Sequence, residues 1–153
     1  MPMRMQPEDV TRLRVALARI VRTIDRQVDG GGLTRTELSV LGTVSRLKAV
    51  TAGELADIEG LNPTMLSRIV GKLESAGIVT RTPDPDDRRV VRIGITPEGS
   101  RLHNRMRRER SALISARLDE IPEQDARAVL AALPALESLA EAMRSVPVSG
   151  VRR

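Results

Sequence analysis

The chain has 153 residues, with 25 Lys plus Arg against 20 Asp plus Glu, one His, and no Cys, Phe, Tyr or Trp. That length fits one domain, or one domain with an added dimerisation region, and the 41 % of apolar residues must build a core from Leu, Ile, Val, Ala and Met. The absence of cysteine excludes disulfides, thiolate metal sites and cysteine redox sensing; one histidine excludes His-rich metal sites, and no apolar run approaches the ~18 residues of a membrane span.

The first ten residues, MPMRMQPEDV, lack the apolar stretch of a secretory signal, so a cytoplasmic protein is expected. Net charge is +5. Lys48 and Lys72 are the lysines, and the remaining cations are Arg. Arginine forks suit phosphate and guanine edges, but GC-rich coding also enriches Arg. Composition alone leaves both readings open.

Residues 1–6 read as a loose tail. A helix begins at Pro7, with Val10, Leu13, Leu17, Ile20, Val21, Ile24 and Val28 spaced by three and four. Gly30-Gly31-Gly32 ends it. Thr34 and Glu37 form a Thr-x-x-Glu capping box that opens a second helix carrying Leu38, Leu41, Val44 and Leu47. Thr51 and Glu54 form another box, opening a short helix that Gly60 breaks. Asn62-Pro63 starts a fourth helix, since Asn caps well and Pro suits the first helical position. Leu66, Ile69, Val70 and Leu73 face inward there. Thr64, Arg68, Gly71 and Ser75 fall on the opposite face, flanked by Ser67 and Lys72.

Two β runs follow, Val79 to Thr82 and Val90 to Ile95, with Val91, Ile93 and Ile95 on one face. The stretch Pro83-Asp84-Pro85-Asp86-Asp87-Arg88-Arg89 between them reads as a turn. Thr96-Pro97-Glu98 starts a long helix, dense in Arg from Arg101 to Arg110, that carries Leu102, Met106, Leu113 and Leu118. Pro122 restarts the chain into a last helix, and Pro134 is expected to kink or break it near Leu133. Residues 145–153 read as a flexible basic tail.

The expected fold is mainly α with a small β-hairpin wing. A short helix followed by a polar-faced helix is a helix-turn-helix, and the hairpin after it supplies the wing. The expected organisation is a tail and dimerisation helix over 1–32, a winged helix-turn-helix lobe over 33–96, dimerisation helices over 97–144, and a tail over 145–153.

Three motifs in this order resemble the MarR family of bacterial winged-helix regulators. They are Leu55-Ala56 followed by Leu66-Ser67-Arg68-Ile69-Val70 and Leu73-Glu74; Gly77-Ile78-Val79-Thr80-Arg81; and Asp86-Asp87-Arg88-Arg89 followed by a strand and Ile95-Thr96-Pro97-Glu98-Gly99. Each is weak alone, and together they are specific. The resemblance implies a homodimer interlocked through the first and last helices. It also implies binding to a palindromic double-stranded DNA operator, usually as a repressor, and release of the DNA by a small-molecule effector.

The candidate DNA-binding residues are Asn62, Pro63, Thr64, Ser67, Arg68, Lys72, Arg81, Asp87, Arg88 and Arg89. Arg68 is expected at a base edge or phosphate in the major groove. Thr64, Ser67 and Lys72 are expected near phosphate or bases, and Asn62 and Pro63 mainly at the helix start. By resemblance, the Arg after Asp87 enters the minor groove. Arg88 is favoured for that role, with Asp87 orienting it. For each polar side chain the alternative is a solvated or capping role. Leu17, Ile20 and Met106 are candidate effector-lining residues, in a pocket without aromatic walls. The Arg-rich segment could pair across a dimer, lie near DNA, hold an acidic ligand or simply face solvent. His103 reads as a surface histidine. No metal, cofactor or membrane partner is expected, and no phosphate loop, zinc motif or nucleophile–base pair points to an enzyme. A DNA-binding protein with no effector, or an interaction module of the same fold, are the alternative functions.

Overall fold

The computed structural model describes residues 6–144. Of the expected tails, residues 1–5 and 145–153 lie outside the described residues. The element order is α1 (Pro7–Gln27), α2 (Arg35–Leu47), β1 (Ala49–Thr51), α3 (Ala52–Glu59), α4 (Pro63–Ser75), β2 (Val79–Pro83), β3 (Val91–Ile95), α5 (Pro97–Asp119), α6 (Glu123–Ala131) and α7 (Leu133–Arg144). This is the helical, hairpin-winged fold that the sequence pattern predicts.

Both capping boxes form. Thr34 accepts the Glu37 N–H while Glu37 accepts the Thr34 N–H, and Thr51 and Glu54 repeat the arrangement. Asn62 Oδ1 accepts the Met65 N–H at 2.8 Å, with Pro63 at the first helical position. Each bond satisfies a donor that the first turn of a helix leaves without a partner. Near Pro134 the helix breaks rather than kinks: α6 stops at Ala131 and α7 begins at Leu133.

The sheet has three antiparallel strands in the order β1-β3-β2. The sequence pattern misses β1, which is three residues long and pairs Val50 with Ile93. Lys48, just before it, sits at φ 64°, a conformation uncommon outside glycine. It turns the chain from α2 straight into the sheet. Ile93 is the buried residue of β3, whereas Val91 is exposed. Val91 therefore departs from the single inward face that the alternation predicts.

The core is aliphatic. Leu41, Leu55, Leu73, Ile93, Val40, Val44 and Val70 are its fully enclosed side chains, drawn from α2, α3, α4 and the sheet. Leu102 and Met106 bring the first turns of α5 onto the same cluster. Leu47, expected to close the stripe of α2, is exposed instead.

Two compact units are distinguished, Met1–Ser111 and Ala112–Arg153, and α5 runs from one into the other. In the first unit α1 carries no buried residue, and Val10, Leu17, Ile20 and Val21 are exposed along it. In the second, Val129, Leu130, Leu133, Leu139 and Met143 are exposed on α6 and α7.

The start of α5 is seated without clearance. A Cβ built on Gly99 would lie 2.1 Å from the Ile78 carbonyl oxygen, far inside van der Waals contact. Gly99→Ala is expected to destabilise the fold by about 1–3 kcal/mol, read as a lower urea midpoint by far-ultraviolet circular dichroism. An unchanged midpoint would mean that this joint yields without cost.

Candidate nucleic-acid interface

The helix-turn-helix is α3, the turn Gly60–Leu61–Asn62, and α4. Leu66, Ile69, Val70 and Leu73 bury one side of α4. Thr64, Ser67 and Arg68 are exposed on it, as are Asn62 and Pro63 at its start. Among the described residues, the Arg68 side chain has no hydrogen bond or ion pair. Its guanidinium is thus free to meet a partner outside the chain, and a helix start with its cap exposed favours a phosphate nearby.

The other two cations predicted beside Arg68 are engaged inside the lobe. Lys72 Nζ donates to both Glu37 carboxylate oxygens at 2.9 Å. Glu37 is buried in the first turn of α2, with its side chain 9 % exposed, and also accepts the Thr34 N–H at 2.8 Å. Burial pushes the Glu37 carboxyl up, but the Lys72 and Thr34 hydrogen bonds outweigh it and hold the pKa below the ordinary glutamate value of 4.5. Arg81, on β2, donates to the Ser67 carbonyl at 3.0 Å and lies 3.5 Å from the Glu74 carboxylate.

The wing tip is organised by a residue that sequence reasoning did not single out. Asp84 is buried, and its Oδ1 accepts the Asp86 and Asp87 N–H groups at 2.8 and 3.1 Å. Its Oδ2 accepts from the Arg92 guanidinium, across the hairpin on β3. The Arg92 hydrogen bond, followed by the two backbone N–H groups, lowers the Asp84 pKa. Asp87 accepts the backbone N–H of Arg89 at 3.0 Å. That bond shapes the turn, and among the described residues no Arg side chain is bound by Asp87. Arg88 and Arg89 are exposed with no side-chain partner among the described residues. A Pro-Asp-Pro-Asp-Asp run signals a turn, but which Asp folds inward depends on Arg92, eight residues away.

A cleft of about 210 Å³ opens between α3, α4 and the hairpin, walled by Ala56, Leu66, Val70 and Ile93 with Ser67 and Arg81 beside them. The predicted effector-lining residues lie elsewhere. Met106 is buried in the core, 3 % exposed, while Leu17 and Ile20 are exposed on α1. His103, read as a surface residue, is half-buried, with Nδ1 3.2 Å from the Ser45 hydroxyl on α2. Burial, then the charges of Arg107 and Arg110, lower its pKa. No cluster of three potential metal ligands occurs among the described residues, and none of their helices is long and apolar enough to cross a membrane.

This geometry agrees with known proteins. The MarR family profile matches residues 33–91. An HTH-type transcriptional regulator of Mycobacterium bovis, Mb0904, is 30 % identical over 106 residues, covering 69 % of this chain and 74 % of that protein. A MarR family protein from Bacillus stearothermophilus superposes with a TM-score of 0.73 at 20 % identity, covering 92 % of this chain and 99 % of that one. Bordetella bronchiseptica BpsR, whose DNA binding is regulated by 6-hydroxynicotinic acid, superposes with a TM-score of 0.61 at 18 % identity, covering 85 % and 98 %.

The Asp84–Arg92 pair makes stability pH-dependent. A carboxyl whose folded pKa is depressed contributes above its unfolded value, 3.8 for aspartate, and the contribution is lost as pH falls through the folded value. The melting-temperature gap between wild type and Asp84→Asn is therefore expected to narrow from about pH 5 to about pH 2. A gap constant over that range would remove the ion pair as its source.

Proposed function

The chain belongs to the MarR family of DNA-binding transcriptional regulators, and on that premise we propose that it is a homodimeric repressor acting at a palindromic operator. The observation that carries the reading is Arg68: a cation on the outer face of a capped helix, with no partner among the described residues. The family and its relatives are transcriptional regulators and not enzymes.

The proposed assignment divides the work by groove. Arg68 reads base edges from the major groove, where a guanidinium can bond two acceptors of guanine at once. Thr64 and Ser67 donate to phosphate or bases beside it, with Asn62 and Pro63 setting the helix start. Arg88 and Arg89 follow the minor groove and backbone from the wing tip. The dimer is supported by the exposed apolar residues of α1 and of α6 and α7, which gain from a cover at ~25 cal/mol per Å² of apolar surface. A twofold axis then spaces two copies of α4 by about one DNA turn, ~34 Å.

Release by a small-molecule effector belongs to the same proposal, and its support is the regulation of BpsR by 6-hydroxynicotinic acid. Leu17 and Ile20 are the proposed lining on α1. With no aromatic residue in the chain, recognition here would rest on aliphatic contact and arginine charge rather than ring stacking. Displacement of bound duplex by small aromatic acids tests this part directly.

Selection of duplexes from a random pool tests the main reading. An inverted repeat with half-sites about 10 base pairs apart is expected, and a pool that never converges would overturn it. Against the selected duplex, Arg68→Ala is expected to cost about 1–3 kcal/mol and relax one base position. Replacing Arg88 and Arg89 together with Ala is expected to weaken binding and flatten its dependence on salt. An unchanged salt slope would take the wing off the DNA.

A further inference from the structure

We propose that Lys72 and Arg81 are positioning residues that fix the rotation of α4 about its own axis, and that neither one contacts the DNA backbone. The proposal rests on the DNA-binding reading above and assigns the cations around α4 to two separate tasks.

The side of α4 that faces the core is Leu66, Ile69, Val70 and Leu73, and the cluster it packs on is aliphatic throughout. Apolar burial holds a helix down but is non-directional. Hydrogen bonds have direction, with donors and acceptors aligned over a narrow range of distance and angle. On α4 the long-range ones are on its flanks. Lys72 donates to both oxygens of Glu37, on α2, at 2.9 Å. On the other flank Arg81, on β2, donates to the Ser67 carbonyl at 3.0 Å and reaches the Glu74 carboxylate at 3.5 Å. At about 100° per residue, Lys72 and the Ser67–Glu74 edge lie roughly 150° apart around the helix. Two ties so placed oppose rotation in either sense.

The tie to Glu37 is anchored firmly. Its carboxylate is buried and also held by the Thr34 N–H. If Lys72 left for a phosphate, Glu37 would remain a buried anion without its cation, which is strongly unfavourable. Arg68 depends on this fixing. A side chain ending ~6 Å from the axis moves about 1 Å for a ~10° roll, enough to break a hydrogen bond of 2.9 Å to a base edge. The exposed side of α4, between the two ties, carries Thr64 and Arg68.

The test is binding of the full chain to the selected duplex and to unrelated duplex across a series of salt concentrations. Lys72→Met is expected to weaken binding to the selected duplex about tenfold, change binding to the unrelated duplex little, and leave the salt slope of wild type. Equal loss on both duplexes, with a slope smaller by about 0.9, is the signature of a lost phosphate contact and would overturn the proposal. Because Lys72→Met strands a buried carboxylate, Glu37→Gln/Lys72→Met is measured beside it. That double variant keeps an acceptor for the Thr34 N–H and is expected to melt close to wild type while still discriminating poorly. Full discrimination in it would overturn the proposal. Glu37→Gln alone keeps the lysine charge but weakens the tie, and is expected to reduce discrimination; tighter binding to both duplexes would instead make Lys72 a phosphate contact. Arg81→Gln is expected to follow Lys72→Met, with the wild-type slope. If wild type itself does not distinguish the two duplexes, the DNA-binding reading fails and this proposal with it. Failure confined to the variants overturns the proposal alone.

Discussion

The arrangement of the lobe depends on a joint with no room in it, where Thr96 and Gly99 meet Gly77 and Ile78. The Thr96 hydroxyl donates to the Gly77 carbonyl at 2.6 Å, with that of Ile78 at 3.0 Å, and accepts the Gly99 N–H at 3.0 Å. The Thr96 N–H donates to the Ile78 carbonyl at 3.1 Å. Gly77, at φ 71°, takes the left-handed turn that directs the chain from α4 into β2. The end of α4, the root of the wing and the start of α5 therefore share one set of hydrogen bonds. Neither α4 nor the hairpin can shift at that end without disturbing α5.

Away from the joint, an aliphatic core and polar fastenings have complementary roles. Burying a Leu, Ile or Val contributes about 1.5–3 kcal/mol, but without aromatic rings the core offers few shapes that demand one orientation. Orientation comes from two buried carboxylates. Glu37 ties α4 to α2, and Asp84 ties the wing turn to β3 through Arg92. Each is paired with a cation and with backbone N–H groups, the condition under which a buried charge is tolerated. Basic residues near the candidate interface thus divide into those paired within the fold, Lys72, Arg81 and Arg92, and those whose side chains have no partner among the described residues, Arg68, Arg88 and Arg89.

What could be read from the sequence follows from the range of each signal. The capping boxes at Thr34 and Thr51, the Asn62-Pro63 start and the break before Pro134 are local chemistry, complete within four residues, and all are visible in the chain. The three motifs that place the fold run consecutively from Leu55 to Gly99, through α3 and α4, the turn into β2, and the wing to the start of α5. Strand β1 was not legible because three residues cannot display an alternation, and Lys48 carries a backbone angle that its side chain does not advertise. Leu47 and Val91 continue apolar patterns past the point where a neighbouring element covers them. In the candidate site the exposed Arg68, Arg88 and Arg89 follow from helix and turn geometry. The roles of Lys72 and Asp84 do not, because their partners lie 35 and 8 residues away and only the folded chain brings them together. Met106 looked available on a helix pattern, but the lobe closes over it.

Glu37 completes the capping box of α2 and also receives Lys72. One carboxylate therefore serves a local helix start and a contact with a helix far along the chain. In a lineage descending from this sequence, the two positions cannot drift separately at low cost. Losing the lysine strands a buried anion, and losing the acid takes the side-chain acceptor from the Thr34 N–H while the half-exposed lysine turns to solvent. Substitutions at positions 37 and 72 should therefore appear together across descendants, while Thr34, which caps the backbone N–H of residue 37, can stay. By the same logic, the exposed Arg68 has no such companion among the described residues. In the proposed role it is free to change with the operator, so the framework that aims this helix can be inherited intact while its target diverges.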